Sequence, residues 1–180
     1  MGDRLIRIVS NEELDKPLAK WAKERITELN GLPEDAFGRC KCAGIFRDGL
    51  LKASCVYYGY VPEFGTIQMA LAADDASWCN RGVLATLLEY PFRIGLRRIW
   101  VLTRADNKRI IRLLEWIGFK KEGTMGEFFG PGITAVSWRL LKADYDKFLK
   151  RIGRDERRRQ GSQRTEGPVH GAAAIGTERV

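Results

Sequence analysis

NKRIIRLLEWIGFKKEG, residues 107–123, is the stretch on which the architecture turns. Ile110, Ile111, Leu114 and Ile117 recur at helical spacing and give this segment one apolar face. Asn107 is a residue type suited to N-capping, because its side-chain oxygen can accept from the backbone N–H groups that a helix start leaves without partners. Gly118 suits the other end, where a left-handed residue stops a helix. A short strand is expected at about 119–122.

Working back from Asn107, RRIWVLTR (97–104) reads as a strand. Before it, Val83, Leu84, Leu87, Leu88 and Phe92 give residues 79–94 an apolar helical face. Before that, FGTIQMALAA (64–73) reads as a strand. Strand, helix and strand make a β-α-β unit, whose two strands are expected to run parallel. Further upstream, FGRCKCAGIF (37–46) and LLKASCVYYGY (50–60) flank Asp48-Gly49, a strong hairpin signal. At the start, LIRIV (5–9) is a candidate strand. Ser10-Asn11-Glu12-Glu13 follows as a capping box. Leu14, Leu18, Trp21, Ile26 and Leu29 then recur at helical spacing, with Pro17 able to delay or kink the start and Asn30-Gly31 with Pro33 ending it.

Downstream of Gly123, the EFFGPG run (127–132) reads as a hairpin turn and TAVSWRLL (134–141) alternates as a strand. A short helix is expected over 142–150. The predicted order is β-α-β-β-β-α-β-α-β-β, an α/β (mixed α+β) domain over 1–150. Residues 151–180, Arg-rich and then Gly- and Ala-rich with almost no large apolar residue, are expected to be a disordered tail. Trp116 and Trp138 are expected in the core.

Composition narrows the function. The 180 residues are 44% hydrophobic and 30% charged, which suits one globular domain with a real core. No apolar run is long enough to span a membrane, and the N-terminus, charged within four residues, lacks a signal core. Ile6 stands where a myristoylation motif needs Ser or Thr. A cytoplasmic protein is the expectation. The only histidine is His170, so a Ser-His-Asp triad or a His-ligated metal would have to rest on that residue. Cys40, Cys42, Cys55 and Cys79 lack the spacing of a zinc site, so no metal is expected. The net charge is +8, of which +3 comes from seven Lys/Arg against four Asp/Glu in 151–180. Such a surface suits nucleic acid, and equally an anionic cofactor carrying several phosphates. The tail cluster Arg154, Arg157, Arg158 and Arg159 has no aromatic neighbour to stack on bases, so it is read as solubilising and not as a nucleic-acid site.

The element order and the Asn107-to-Gly123 stretch, with its helix, Gly-Phe and Glu-Gly pairs, resemble the GNAT (GCN5-related) N-acetyltransferases. The likeness is to the branch that acetylates ribosomal-protein N-termini and its phage and bacterial relatives. Residues 78–84, Tyr90-Pro91-Phe92 and Arg97-Arg98-Ile99 are similar to that branch too. The resemblance implies the GNAT acyl-CoA acyltransferase fold, a mixed central sheet of about six to seven strands flanked by helices. It implies acetyl-CoA as cosubstrate and an amine of a protein or small molecule as acceptor. A homodimer stays open, since dimers are common for this fold.

Transferred residue by residue, the resemblance makes 79–84 the loop that cradles the CoA pyrophosphate, through Asn80, Arg81, Gly82, Val83 and Leu84. Free N–H groups and the dipole at a helix start supply the physics. The strand before it, at Leu71 and Ala72, would pair with the pantetheine and supply the oxyanion N–H, and Asn107 would contact cofactor or water. Two positions depart from the family loop: Cys79 replaces Gln or Arg, and Leu84 replaces a small residue. The arginine that relatives carry shortly after the Glu-Gly pair is also missing.

Direct acyl transfer needs the amine deprotonated, the oxyanion held and the CoA thiolate protonated. The carboxylates available as base are Asp74, Asp75 and Glu127, with loop capping the simpler role for the two aspartates. The family's acid, a Tyr or Ser on the helix after the second parallel strand, has no counterpart between Thr103 and Phe119. The departures therefore leave a second reading, a protein of this fold that binds or interacts without catalysis.

Overall fold

A computed structural model describes residues 6–165, with side chains to 154. It holds seven strands and four α-helices in the predicted order. The strands are β1 (Ile6–Val9), β2 (Lys41–Arg47), β3 (Leu50–Val61), β4 (Thr66–Ala73), β5 (Arg98–Arg104), β6 (Lys120–Met125) and β7 (Ala135–Leu141). The helices are α1 (Glu12–Arg25), α2 (Arg81–Arg93), α3 (Lys108–Ile117) and α4 (Lys142–Thr165). One sheet has the spatial order β1-β2-β3-β4-β5-β7-β6. Every pairing is antiparallel except β4 with β5.

The sheet is covered on both faces. On one, α2, α3 and α4 bury Leu88, Leu114 and Phe148 against Ile45, Ile99 and Leu140. On the other, α1 lays Leu18 and Ala22 on Cys42, Val56 and Ala72. Buried Asp15 fastens α1 to β2, accepting from the Cys42 N–H at 2.7 Å and from Lys41 at 2.9 Å. The alternation along β5 is complete: Ile99, Val101 and Thr103 are buried, and Trp100, Leu102 and Arg104 are half-buried on the α1 face.

Several ends differ from the sequence reading. Asn11, and not Ser10, caps α1, its Oδ1 accepting from the Leu14 N–H at 2.9 Å. Ser10 instead donates to the Cys42 carbonyl at 2.7 Å. The helix continues through Pro17, which is exposed. It stops at Arg25, before Asn30-Gly31, and a 3-10 turn over Thr27–Leu29 follows. A second 3-10 turn, Pro62–Phe64, and a left-handed Gly65 delay β4 to Thr66. Trp138 lies in the core as expected, whereas Trp116 is 36% exposed. The last helix passes residue 150 and reaches Thr165, because Lys, Arg, Glu and Gln in this stretch are good helix formers. That takes 151–165 out of the predicted disordered tail; residues 166–180, with His170, lie outside the described residues. No helix among the described residues is long and apolar enough to cross a membrane.

Candidate functional site

The two parallel strands are joined over only part of their length. β4 and β5 pair at Thr66↔Arg98, Ile67↔Ile99 and Gln68↔Trp100. Past that point β4 stays bonded to β3, as far as Ala53↔Ala73, and β5 stays bonded to β7, as far as Arg104↔Ala135. The sheet is continuous below and forked above. Leu71 and Ala72 lie on the fork's β4 arm, where the sequence reading places them. Their β3-facing edge is taken by Cys55 and Ser54, and the other edge faces the opening. Backbone amides on an unpaired strand edge are ready to bond an extended amide-bearing chain.

Two helices begin at the top of the fork. Asn80 caps α2, its Oδ1 accepting from the Val83 N–H at 2.8 Å, and the Leu84 N–H is taken by the Asn80 carbonyl at 3.0 Å. The capping spends two of the loop's donors within the helix, so the loop's binding capacity concentrates at its first turn. Gly82 there is exposed, and a Cβ would meet only Asn80 Oδ1 at 3.4 Å. Arg81 is half-buried, with its guanidinium 6.0 Å from the centroid of the Trp116 ring. Arg151 of α4 lies over the same indole at 5.3 Å. These cations explain how Trp116 sits at the surface: its ring carries charge on its face while its edge packs on Phe148, centroids 5.4 Å apart.

Asn107 caps α3, accepting from the Ile110 N–H at 3.2 Å. Burial holds the Cys79 thiol above the ordinary range, and the charge of Arg109, in the first turn of α3, opposes that shift. Lys108, Arg109 and Arg112 are exposed, so the mouth of the fork on this face is basic. A hydroxyl also lies in the fork wall: Thr103, buried, donates to the Arg104 carbonyl at 3.4 Å.

Each candidate base is engaged by neighbouring groups. Asp75 caps the turn Ala76–Trp78, accepting from the Ser77 N–H at 2.6 Å, and pairs with Lys52 at 3.2 Å. Bonds to Ser77 and Lys52 lower its pKa to about 2, which makes it a poor proton acceptor near neutrality. Asp74 pairs with Arg25 at 2.7 Å. Glu127 sits in the β6–β7 loop at φ +55°, exposed, where it accepts from the Gly132 N–H at 3.3 Å. Its role is to staple that loop.

Solved structures match the chain with a probability of 1.00. A mutant of the Vibrio cholerae spermidine N-acetyltransferase superposes with a TM-score of 0.64 at 14% identity, covering 82% of this chain and 98% of that one. The Escherichia coli ribosomal-protein-S18-alanine N-acetyltransferase gives 0.59 at 20%, covering 76% and 94%. A Desulfovibrio desulfuricans protein assigned to the GNAT acetyltransferases gives 0.58 at 17%, covering 76% and 99%. The fold is the GNAT fold. No family model and no curated protein matches by sequence. In the GNAT frame, the forked strands and the α2 mouth are the features that the sequence resemblance ties to the cofactor.

Proposed function

We propose that the protein is an N-acetyltransferase that moves an acetyl group from acetyl-CoA directly to an amine. The observation that carries this reading is the fork. Two parallel strands part after Gln68 and Trp100, and a basic helix mouth stands over the gap. A pantetheine arm has amide groups that suit the free edges, and a pyrophosphate suits the N-terminal turn of α2. Arg109 and Lys108 add charge for the phosphates. The fork also gives the arm a defined path toward the α1 face.

In the transfer, the neutral amine nitrogen attacks the thioester carbon and a tetrahedral oxyanion forms. A backbone N–H on the β4 arm, at Leu71 or Ala72, holds the oxyanion. Collapse breaks the carbon–sulfur bond, the thiolate leaves and takes up a proton, and the amine nitrogen gives one up. Asp75, with its lowered pKa, is a poor base, and Glu127 is engaged by the Gly132 N–H. Proton transfer through water at the open fork, beside Thr103 and the N-terminus of α3, suits the side chains present. Asn107 is engaged as a cap and would act there through its remaining amide hydrogens.

The test is a thermal-shift titration with acetyl-CoA, with ATP as control, followed by thiol release with an amine panel. A ligand at 100 times its Kd stabilises the native state by about 2.7 kcal/mol. A saturable shift with acetyl-CoA and thiol release dependent on amine are expected. A shift without release for any amine would favour the non-catalytic reading, which the departures at Cys79 and Leu84 support. No shift at millimolar acetyl-CoA would overturn the cofactor assignment.

A further inference from the structure

The connection from β4 to α2 decides where the helix mouth stands relative to the β4 arm, and β2 grips it. Residues 74–80 make this connection, as the short turn Ala76–Trp78 with Asp75 before it and Asn80 after it. Arg47, the last residue of β2, donates through Nη1 to the Ser77 carbonyl at 2.6 Å. Trp78, the next residue along, is buried in the cluster that holds Val83, Leu84 and Leu87 of α2. The turn is thus fixed by a bonded carbonyl on one residue and a packed indole on the next. Asn80, which caps α2, follows Trp78 by only two positions.

The other ties on the connection are of a different kind. Asp74 pairs with Arg25 at 2.7 Å, and Arg25 also lies 3.9 Å from Glu24. Asp75 pairs with Lys52 at 3.2 Å. The side chains of the Arg25–Asp74 and Lys52–Asp75 pairs are 26% to 47% exposed, so solvent screens them. Arg47 is more enclosed. Its Nε and the Ser77 Oγ are both buried and have no partner among the described residues. Arg47 forms no ion pair among those residues either.

An enclosed guanidinium with no carboxylate beside it is a costly way to satisfy one neutral carbonyl. For stability alone, an apolar side chain of similar volume would serve as well. What the guanidinium adds is a strong, directional bond on the segment that leads into the helix mouth. A binding turn works only when the residues behind it fix its place.

We infer that Arg47 is a positioning residue for the cofactor. Its bond to the Ser77 carbonyl holds the first turn of α2 where the N–H groups there meet the pyrophosphate, and Arg47 itself does not touch the ligand. The inference rests on the acetyl-CoA reading and extends that site to β2, which β3 and β4 separate from the fork.

The experiment uses the full-length wild type, Arg47→Met and Arg47→Lys. Acetyl-CoA affinity is measured by calorimetry, stability by denaturant unfolding, and amide exchange by NMR on the ligand-free proteins. The Cys79 N–H, which donates to the Ala76 carbonyl at 3.1 Å, reports the turn. Loss of the charge-assisted bond predicts acetyl-CoA binding roughly ten- to hundredfold weaker in Arg47→Met. Cys79 exchange should be roughly tenfold faster through local opening, while the denaturant midpoint stays near that of the wild type. Arg47→Lys retains a cationic donor and should recover most of the affinity. The inference fails if Arg47→Met binds acetyl-CoA as tightly as the wild type, or if Arg47→Lys is as weak as Arg47→Met. It fails too if Arg47→Met does not fold, or loses affinity only in step with stability, since Arg47 would then serve the fold alone. Failure of the acetyl-CoA reading would show separately, as absence of binding to the wild type.

Discussion

The lower and upper parts of the β4–β5 seam are built from the same two strands and are held by different forces. Below, three residue pairs close the backbone, Gly65 accepts from the N–H groups of Arg97 and Arg98 at 2.8 and 3.1 Å, and Ile99 is fully buried. Above, the arms part, and what faces the gap is polar: a helix mouth on one side, and Arg25, Glu28 and Arg104 on the other. The closed part contributes stability through apolar burial. The open part leaves backbone donors on the β4 arm unspent, and the proposed function assigns the cofactor's binding energy to them. Substitutions in the two parts should therefore separate stability from affinity.

The largest effect belongs to the closed part. Ile99→Ala should destabilise by about 2–5 kcal/mol, because a fully buried side chain is replaced by a cavity. Denaturant unfolding measures this, and the acetyl-CoA affinity of the molecules that remain folded should be kept. If affinity fell as much as stability, the two parts would not be separable. Gly82→Asp in the open part should do the reverse. An acidic residue in the first turn complements the helix dipole, so stability should hold or rise slightly, while acetyl-CoA binding weakens by about 1.5–3 kcal/mol. Calorimetry against chemical denaturation distinguishes the two.

Smaller effects sharpen the boundary. Asn80→Ala removes the α2 cap and should cost about 1 kcal/mol of stability. Asp75 gives a pH signature. Its folded pKa, about 2, lies below the ordinary carboxylate value, so its contribution is present above the unfolded pKa. That contribution disappears as pH falls from about 4 toward 2. The stability gap between wild type and Asp75→Asn, followed by denaturation across this range, should be constant near neutrality and close in acid. Deleting 166–180 should leave the acetyl-CoA thermal shift unchanged.

The sequence reading reached the fold through particular signals. Asn107 and Gly118 bound α3 to the residue, and Asp48-Gly49 made the β2–β3 hairpin, because caps and tight turns are local chemistry. Pro17 and the Arg-rich tail misled, since an exposed proline was accommodated in α1 and a run of good helix formers prolonged α4. For the site, Leu71, Ala72 and Gly82 lie at the fork because they belong to elements the β-α-β pattern defines. The ion pair of Glu28 with Arg104 was invisible, because the two residues are distant in sequence and meet only once the segment after α1 is packed on the sheet.

The short closed seam has a consequence for how the molecule folds. It leaves the sheet as two plates, β1 to β4 and β5-β7-β6, joined in the sheet by three residue pairs and Gly65. The first plate is a meander whose β2–β3–β4 contacts are local along the chain. The second has its own local β6–β7 hairpin, whereas the seam must wait for the α2 crossover, and low-separation contacts generally form earlier. The seam should therefore knit late and open early. Amide hydrogens at Gln68 and Trp100 would then report sub-global opening rather than full unfolding. A molecule laced between the upper arms would slow exchange in both plates at once, acting as the stitches the backbone leaves out.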